Sequence, residues 1–267
     1  MRRILQGWLV ACVCLATSLY ATIIETTHFK ELPQYVTPTT LVLLDIDDTL
    51  LIPVQMLGND VWFRSRLQEH RQRGLKPEDA LDRALAEWEA IRHLTQVQIV
   101  EEGSQEVVRS LQNQGVVVMG LTTQGLALAN RTVRQLAQLG VDLRTTAPSR
   151  QDQYFMNGQG VLLRDGVLFT AGTHKGRALM QLLATVGYRP EAIVFINDKA
   201  THLQELADSA DAAGIPFIGL RYGYSDPRLR SYRPEIADVQ FHQSSFARIV
   251  SDAEAEALLL KGDTHLP

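Results

Sequence analysis

Three aspartates lie within four positions of one another, directly after a short apolar run. The run covers residues 41–44, and Asp45, Asp47, Asp48 and Thr49 follow it. An apolar run of this length bounded by polar residues is typical of a buried strand. Carboxylates this close repel one another unless a positive charge lies among them, and a hard cation with oxygen ligands is the usual partner. The pattern therefore predicts a metal-charged site at the carboxyl edge of a sheet, where open α/β sheets bind ligands.

The same cluster has three other interpretations. The acids could be the solvated end of a strand, which three acids at one tip disfavour without excluding. A calcium-binding loop needs a glycine at the next position and a distal glutamate, but Leu50 and Leu51 stand there. A phospho-receiver domain carries its acceptor aspartate on a later strand, and no aspartate ends a predicted buried strand between Thr49 and Thr122. The metal-charged strand end is therefore the favoured interpretation.

The elements that must position these aspartates alternate between strand and helix along the chain. Strands separated by helices imply right-handed βαβ units. The pattern therefore predicts an α/β fold with a Rossmann-like, mostly parallel sheet and helices on both faces. Buried strands are predicted at 41–44, 116–121, 192–196 and 215–220, a hairpin at 161–169, and a short strand at 239–241. Helices are predicted at 104–114, 127–139, 175–186, 203–213 and 246–260.

The stretch between the first two buried strands is longer than one crossover requires. Its composition predicts a loop from Pro53 to Asp60 and then helices between Val61 and about Glu101, with Gly74 among the breakers. We interpret residues 54–103 as a small helical cap inserted beside the strand tips. The alternative is a longer crossover that covers one face of the sheet.

The N-terminus has the layout of a secretory signal peptide. Arg2 and Arg3 precede a mostly apolar stretch, and small residues lead to Ala21. We expect cleavage near Ala21 and a secreted or periplasmic protein with no stable membrane span, because the apolar run is short and interrupted. A core helix or a retained anchor is the alternative. A weak lipobox at residues 9–12 would place a lipid on Cys12, unusually close to the start.

Composition excludes several classes of function. Both cysteines, Cys12 and Cys14, lie in the predicted signal peptide, so the mature chain would have no disulfide, thiol nucleophile or cysteine-based zinc site. Removing residues 1–21 deletes two arginines and no acids, which takes the formal charge from −4 to −6. A mildly acidic chain without a basic patch gives no reason to expect nucleic acid as a partner.

Four motifs occur in order along the chain. The first is the D-x-D-x-T pattern at residues 45–49. The second is an apolar strand that ends in Thr122, and the third is Lys175 at a helix start. The fourth is an apolar strand that ends in Asp198, within I-V-F-I-N-D-K. With these motifs, which cover about residues 40–220, the chain resembles the haloacid dehalogenase (HAD) superfamily of phosphohydrolases, and it is also similar to a secreted bacterial branch of that superfamily.

The resemblance implies a HAD-like fold and a defined set of catalytic roles. Asp45 would attack phosphorus and form an aspartyl-phosphate. Asp47 would protonate the leaving oxygen and later activate water. Thr122 would donate its hydroxyl, and Thr123 its backbone N–H, to phosphoryl oxygens. Lys175 would place positive charge beside the nucleophile and the phosphoryl group.

The resemblance also implies Mg²⁺ as the cofactor. Its ligands would be Asp45, Asp47 through the backbone carbonyl, and Asp198, with water completing the octahedral shell. Superfamily members often carry a second acid where this chain has Asn197. We therefore treat Asn197 as a weak ligand or as a residue outside the metal's own ligand set.

The expected function is a secreted, Mg²⁺-dependent phosphohydrolase that acts on a phosphorylated small molecule, a phosphomonoester. Phosphotransfer is one alternative, because the aspartyl-phosphate would pass to an alcohol in place of water at the same site. A protein that keeps the fold for binding without catalysis is another, and Asn197 favours it weakly.

Overall fold

The computed structural model describes residues 21–243 and 249–261. Apart from Ala21, the predicted signal peptide with both cysteines lies outside the described residues. Residues 244–248, the region where the last helix was predicted to begin, also lie outside them.

The described residues form strands and helices in alternation. The strands are β1 (Thr22–Thr26), β2 (Thr40–Leu44), β3 (Leu51–Pro53), β4 (Val97–Ile99), β5 (Val117–Thr122), β6 (Gln153–Asn157), β7 (Gln159–Arg164), β8 (Val167–Phe169), β9 (Ala192–Asn197) and β10 (Phe217–Tyr222). The α-helices are α1 (Asp60–Gln72), α2 (Pro77–Leu94), α3 (Ser104–Asn113), α4 (Ala129–Gln138), α5 (Lys175–Val186), α6 (Ala200–Ala212), α7 (Asp226–Arg230), α8 (Pro234–Gln243) and α9 (Asp252–Leu260).

Eight of these strands form one sheet in the order β1-β10-β9-β2-β5-β8-β7-β6. In this order, the first six strands, β1 through β8, are each parallel to their neighbours. The last two pairs, β8 with β7 and β7 with β6, are antiparallel. The predicted mostly parallel sheet is therefore confirmed. The strand before the aspartates, β2, lies between β9 and β5, so the carboxyl ends of these three strands meet at one edge of the sheet.

Helices cover both faces of this sheet, as predicted. Val42 and Leu44 of β2 point into a core that α3 and α4 share, and Leu41 and Leu43 point into a second core formed with α5 and α6. All four side chains are fully buried. A strand buried on both faces must be apolar at successive positions, which is why β2 was readable as a continuous run.

Two helices, α1 and α2, are inserted between β3 and β4 and pack against each other. The two strands pair antiparallel as a small separate sheet at the base of the insertion. The C-terminal part of the chain braces it, because the rings of Trp62 in α1 and Phe241 in α8 lie 5.5 Å apart between centroids. We call residues 54–96, with α1 and α2, the helical insertion.

The structure corrects several sequence-based expectations. The segment 239–241 is part of α8, where Ile236, Ala237, Val239 and Gln240 are buried with helical spacing. The last helix begins at Asp252, where Ser251 and Glu254 form a capping box, and not at 246. Pro53, expected to begin a loop, ends β3. The strands β1, β3, β4 and β6 were not predicted.

Candidate active site

Asp45 lies at the centre of the cluster of predicted residues. It is the first residue after β2, and its backbone N–H donates to the carbonyl of Ile196 in β9 at 3.0 Å. Lys175 Nζ donates to Asp45 Oδ1 at 2.5 Å, with the lysine side chain fully buried and the aspartate nearly so. The structure thus brings together two oppositely charged groups that are 130 positions apart in sequence.

The start of α5 holds Lys175 in this position. His174 is the N-cap residue, and its Nδ1 accepts a hydrogen bond from the backbone N–H of Arg177 at 3.3 Å. The next residue, Gly176, lies so close to α6 that an added Cβ would meet the carbonyl oxygen of Glu205 at 2.6 Å. Glycine at this position therefore allows α5 to pack closely against α6 directly beside Lys175.

The loop after Asp45 turns back sharply instead of continuing as a strand. Asp48 has a φ of +61° and its backbone N–H donates to the carbonyl of Leu51 at 2.9 Å. Asp48 is buried and lines the same cleft as Asp45. Burial, together with the charges of Asp47 and Asp60, raises the pKa of Asp48 to about 7.

Two residues that the sequence did not reveal hold the carboxylate of Asp47. Arg92 Nη2, from α2 of the helical insertion, donates to Asp47 Oδ1 at 2.7 Å. Gln124 Nε2 donates to Asp47 Oδ2 at 2.7 Å, and Gln124 Oε1 in turn accepts from the hydroxyl of Thr132 at 2.5 Å. Arg92 and Gln124 are both almost completely buried. Both oxygens of the predicted acid–base residue are therefore fixed by donors.

Thr122 and Thr123 lie at the end of β5, and both line the cleft beside Asp45. Thr122 is buried, and its hydroxyl accepts a hydrogen bond from the backbone N–H of Gln124 at 3.2 Å. The carbonyl of Thr123 accepts from Gly172 N–H at 2.9 Å, which ties the loop after β5 to the loop after β8.

Asp198 follows β9 and completes the cluster. Its backbone N–H donates to the hydroxyl of Thr49 at 3.2 Å, which links the fourth motif to the first. Burial raises the pKa of Asp198 well above its usual range, and the charge of Asp45 raises it further. The two carboxylates therefore share a poorly solvated region in which a cation would offset their repulsion.

A divalent cation fits this donor set. In the described part of the chain, no three His, Cys, Asp or Glu side chains are grouped so as to hold a metal. The predicted set has only two side-chain carboxylates, from Asp45 and Asp198, because the carboxylate of Asp47 is turned to Arg92 and Gln124. Two carboxylates, one carbonyl and several waters suit Mg²⁺, which retains water readily. The ligand set of Asp45, Asp47 and Asp198 remains a prediction.

Asn197 has a local structural role. It is fully buried, its Oδ1 accepts from the backbone N–H of Lys199 at 2.8 Å, and its Nδ2 lies 3.5 Å from His202 Nδ1. An aspartate here would keep the bond to Lys199 N–H but bring another charge into a buried acidic cluster. The neutral side chain is therefore compatible with a metal held by its neighbour, Asp198.

Sequence reasoning also missed an ion pair across the cleft. Lys199 Nζ donates to Asp60 Oδ1 at 2.7 Å, and Asp60 also pairs with Arg64. Helical spacing gave one signal for Arg92: Trp88, Ile91 and Thr95 surround it at i−4, i−1 and i+3. For Gln124 the sequence also gave a signal, because this residue stands two positions after Thr122, which ends a predicted strand.

Comparison with known families places the chain. Residues 25–256, most of its length, match a family described as "Protein of unknown function (DUF2608)". The chain belongs to this family. Similar proteins come from several chlamydial species, and each is described as a "putative outer membrane protein".

These relatives align over about four-fifths of the chain or more. One from Chlamydia pneumoniae is 26% identical and the alignment covers 97% of both chains. One from Chlamydia muridarum is 29% identical over 82% of this chain and 81% of its own. Among solved structures, a HAD-superfamily hydrolase of subfamily IA from Geobacter sulfurreducens matches with a TM-score of 0.38 and 14% identity, covering 72% of this chain and 96% of that one.

Within residues 21–243 and 249–261, no helix combines the length and the apolar character that crossing a membrane requires.

Proposed function

We propose that this DUF2608 protein is a Mg²⁺-dependent phosphohydrolase that cleaves phosphomonoesters through an aspartyl-phosphate on Asp45. The observation that carries the proposal is the buried pair of Asp45 and Lys175 at the end of the central strand, beside Asp198 and Thr122. Buried ion pairs are costly to maintain, and strongly perturbed acids in a cleft are typical of catalytic sites.

In the proposed reaction, a carboxylate oxygen of Asp45 attacks phosphorus and the bond from phosphorus to the ester oxygen breaks. Asp47 gives a proton to the departing alcohol and then takes one from the water that hydrolyses the aspartyl-phosphate, which frees Asp45 and releases phosphate. When bound, Mg²⁺ supplies charge that offsets the repulsion between the carboxylate and the anionic substrate.

The remaining residues position and neutralise charge. Lys175 and the Thr122 hydroxyl provide donors for phosphoryl oxygens, with the backbone N–H of Thr123 beside them. Arg92 and Gln124 fix the direction of the Asp47 carboxylate, which is what a group that must reach both the leaving oxygen and the water requires. A protein that keeps the fold for binding without catalysis is the alternative, and the Asn197 amide, which accepts from the backbone N–H of Lys199, gives no specific support for it.

We also propose that the protein is exported to the cell envelope or beyond it. The chlamydial relatives are each described as a "putative outer membrane protein", and the sequence has the layout of a signal peptide. Cleavage after Ala21 would leave β1 intact, since β1 begins at Thr22. N-terminal sequencing of the envelope fraction tests this: we expect Thr22 as the first residue, and a chain that retains Met1 would contradict it.

Turnover of p-nitrophenyl phosphate tests the catalytic proposal. We expect release of phosphate with Mg²⁺, loss of activity with a chelator, and recovery on adding the metal. Asp45→Asn should reduce kcat by a factor on the order of 10⁴ or more, as loss of a nucleophile does. Asp208→Asn is the matched control, because Asp208 is an exposed residue of α6 outside the cleft. Equal turnover by wild type and Asp45→Asn would overturn the proposal.

A further inference from the structure

The cleft beside the aspartates continues into an apolar region. The enclosed space of the cleft is about 100 Å³, and the cleft is open to solvent. Phe63, Leu85 and Trp88 of the helical insertion line it together with Pro53. Leu85 is 38% exposed, which is high for a leucine that faces a cleft and has no partner there. Arg92, on the same helix as Leu85 and Trp88, binds Asp47, the residue proposed to protonate the leaving oxygen, so we place the alcohol part of the ester beside this wall.

The aromatic part of the wall has no polar atom to offer a ligand. The rings of Phe63 and Trp88 lie edge to face with 6.2 Å between centroids. Trp88 Nε1, the one polar atom of the pair, already donates to the carbonyl of Gly58 at 3.1 Å. A ligand in contact with these side chains therefore meets carbon, which favours an apolar or aromatic group.

The charges in the same cleft do not favour an anionic group. Lys199 is neutralised by Asp60, which is 2.7 Å away. Burial lowers the pKa of His202 to about 3, with the charges of Lys175 and Lys199 adding to the effect, so its ring is neutral. Among the described lining residues no unpaired cation remains. A leaving group with a carboxylate or second phosphate would be repelled.

We infer that the preferred substrate is a phosphomonoester whose leaving group is an uncharged aromatic or apolar alcohol. The inference rests on the proposed phosphohydrolase function and adds the substrate class to it. Discrimination by an apolar pocket against a smaller group is about 10- to 100-fold in kcat/KM. Charge repulsion should add to that discrimination for anionic leaving groups.

Three primary alkyl phosphates test the inference, since all three release a primary alkoxide. They are benzyl phosphate, ethyl phosphate and phosphoglycolate, which differ by an aromatic ring and by a carboxylate. We expect wild type to rank them in that order by kcat/KM, with benzyl phosphate at least about 10-fold above ethyl phosphate. Equal values, or a preference for phosphoglycolate, would overturn the inference.

Two variants assign the preference to the apolar wall. Trp88→Ala should bring the ratio of kcat/KM for benzyl phosphate to that for ethyl phosphate close to one. Tyr154→Ala is the control, because Tyr154 is an exposed residue of β6 that does not line the cleft, and it should leave the ratio unchanged. Leu85→Lys keeps an exposed position and adds a cation, so it should raise kcat/KM for phosphoglycolate relative to benzyl phosphate. If Trp88→Ala and Leu85→Lys both retain the wild-type ratios, the inference is wrong.

The outcomes separate the two proposals. Turnover of p-nitrophenyl phosphate with no ranking of the three alkyl esters contradicts the substrate class alone. Absence of turnover with all four esters and Mg²⁺ contradicts the phosphohydrolase function, and the substrate class falls with it.

Discussion

Two ion pairs hold the first two motif aspartates, and their cations come from different regions of the molecule. Lys175 binds Asp45 from within the α/β core, at the start of α5. Arg92 binds Asp47 from the helical insertion. The first pair joins the end of β2 to the start of α5 and was expected from the motifs. The second ties the insertion to the core and was not. The core therefore carries the proposed chemistry, whereas the insertion positions Asp47 and forms the wall of the cleft.

We expect loss of the core pair, Asp45 with Lys175, to lower turnover more than loss of the pair of Asp47 with Arg92. Lys175→Met keeps most of the side-chain volume but leaves Asp45 buried beside Asp198 without its cation. We expect kcat to fall by a factor on the order of 10³ and the free energy of unfolding to fall by about 3 kcal/mol. Steady-state turnover and denaturant unfolding measure the two effects.

The matched control for Lys175 is Lys76→Met. Lys76 is exposed at the N-cap of α2 and makes no side-chain capping bond there. The control should leave both turnover and unfolding unchanged. Wild-type turnover by Lys175→Met would remove the core pair from the mechanism.

The insertion pair, Arg92 with Asp47, should matter more for positioning the Asp47 carboxylate than for binding the substrate. Arg92→Met would leave Asp47 held by Gln124 alone, so we expect kcat to fall by about 10- to 100-fold through misplacement of the acid–base group. KM for a small phosphate ester should change little, and Arg92→Lys should restore part of kcat. Arg71→Met, an exposed change in α1, is the control. A rise in KM with kcat unchanged would instead assign Arg92 to substrate binding.

The smallest effect concerns the stability of the helical insertion at low pH. Glu87 of α2 bonds to Arg66 at 2.7 Å and to His70 at 3.1 Å. Burial acts to raise the pKa of Glu87, but the hydrogen bonds from Arg66 and His70 outweigh it and lower the pKa. A lowered folded-state pKa contributes stability that is present above the usual value of 4.5 and is lost as the pH falls through the folded value.

Glu87→Gln tests the predicted direction of this pH dependence. Thermal unfolding should show wild type more stable than the variant at pH 7, with the difference shrinking as the pH falls below about 4.5. A difference that grows on acidification, or that is independent of pH, would show that the charge of Glu87 does not stabilise α1 against α2.

The parts of the core that were predictable are those in which local sequence and burial agree. The strands β2, β5 and β9 lie in the middle of the sheet and are apolar along their length, so a one-dimensional pattern reveals them. The start of α5 at Lys175 matches the prediction because a polar residue, His174, caps it. Strand ends in a parallel sheet converge, which is why Thr122 and Asp198 were expected beside Asp45.

Elements that depend on distant contacts were not predictable. Pro53 is a breaker in sequence, yet it ends β3 because Val97 pairs with it from the far side of the insertion. Asp48 adopts a positive φ that only the bond to Leu51 explains. The role of Arg92 depends on how α2 packs against the core, and a charged residue on a helix is ordinarily solvated.

The most direct test of the central claim is chemical identification of the covalent intermediate. The enzyme is mixed with substrate and Mg²⁺, quenched in acid during turnover and reduced with borohydride, which converts an aspartyl-phosphate to homoserine. Peptide mapping by mass spectrometry then locates the modified residue. The account predicts homoserine at position 45, and turnover with Asp45 unmodified, or homoserine at another aspartate, would contradict it.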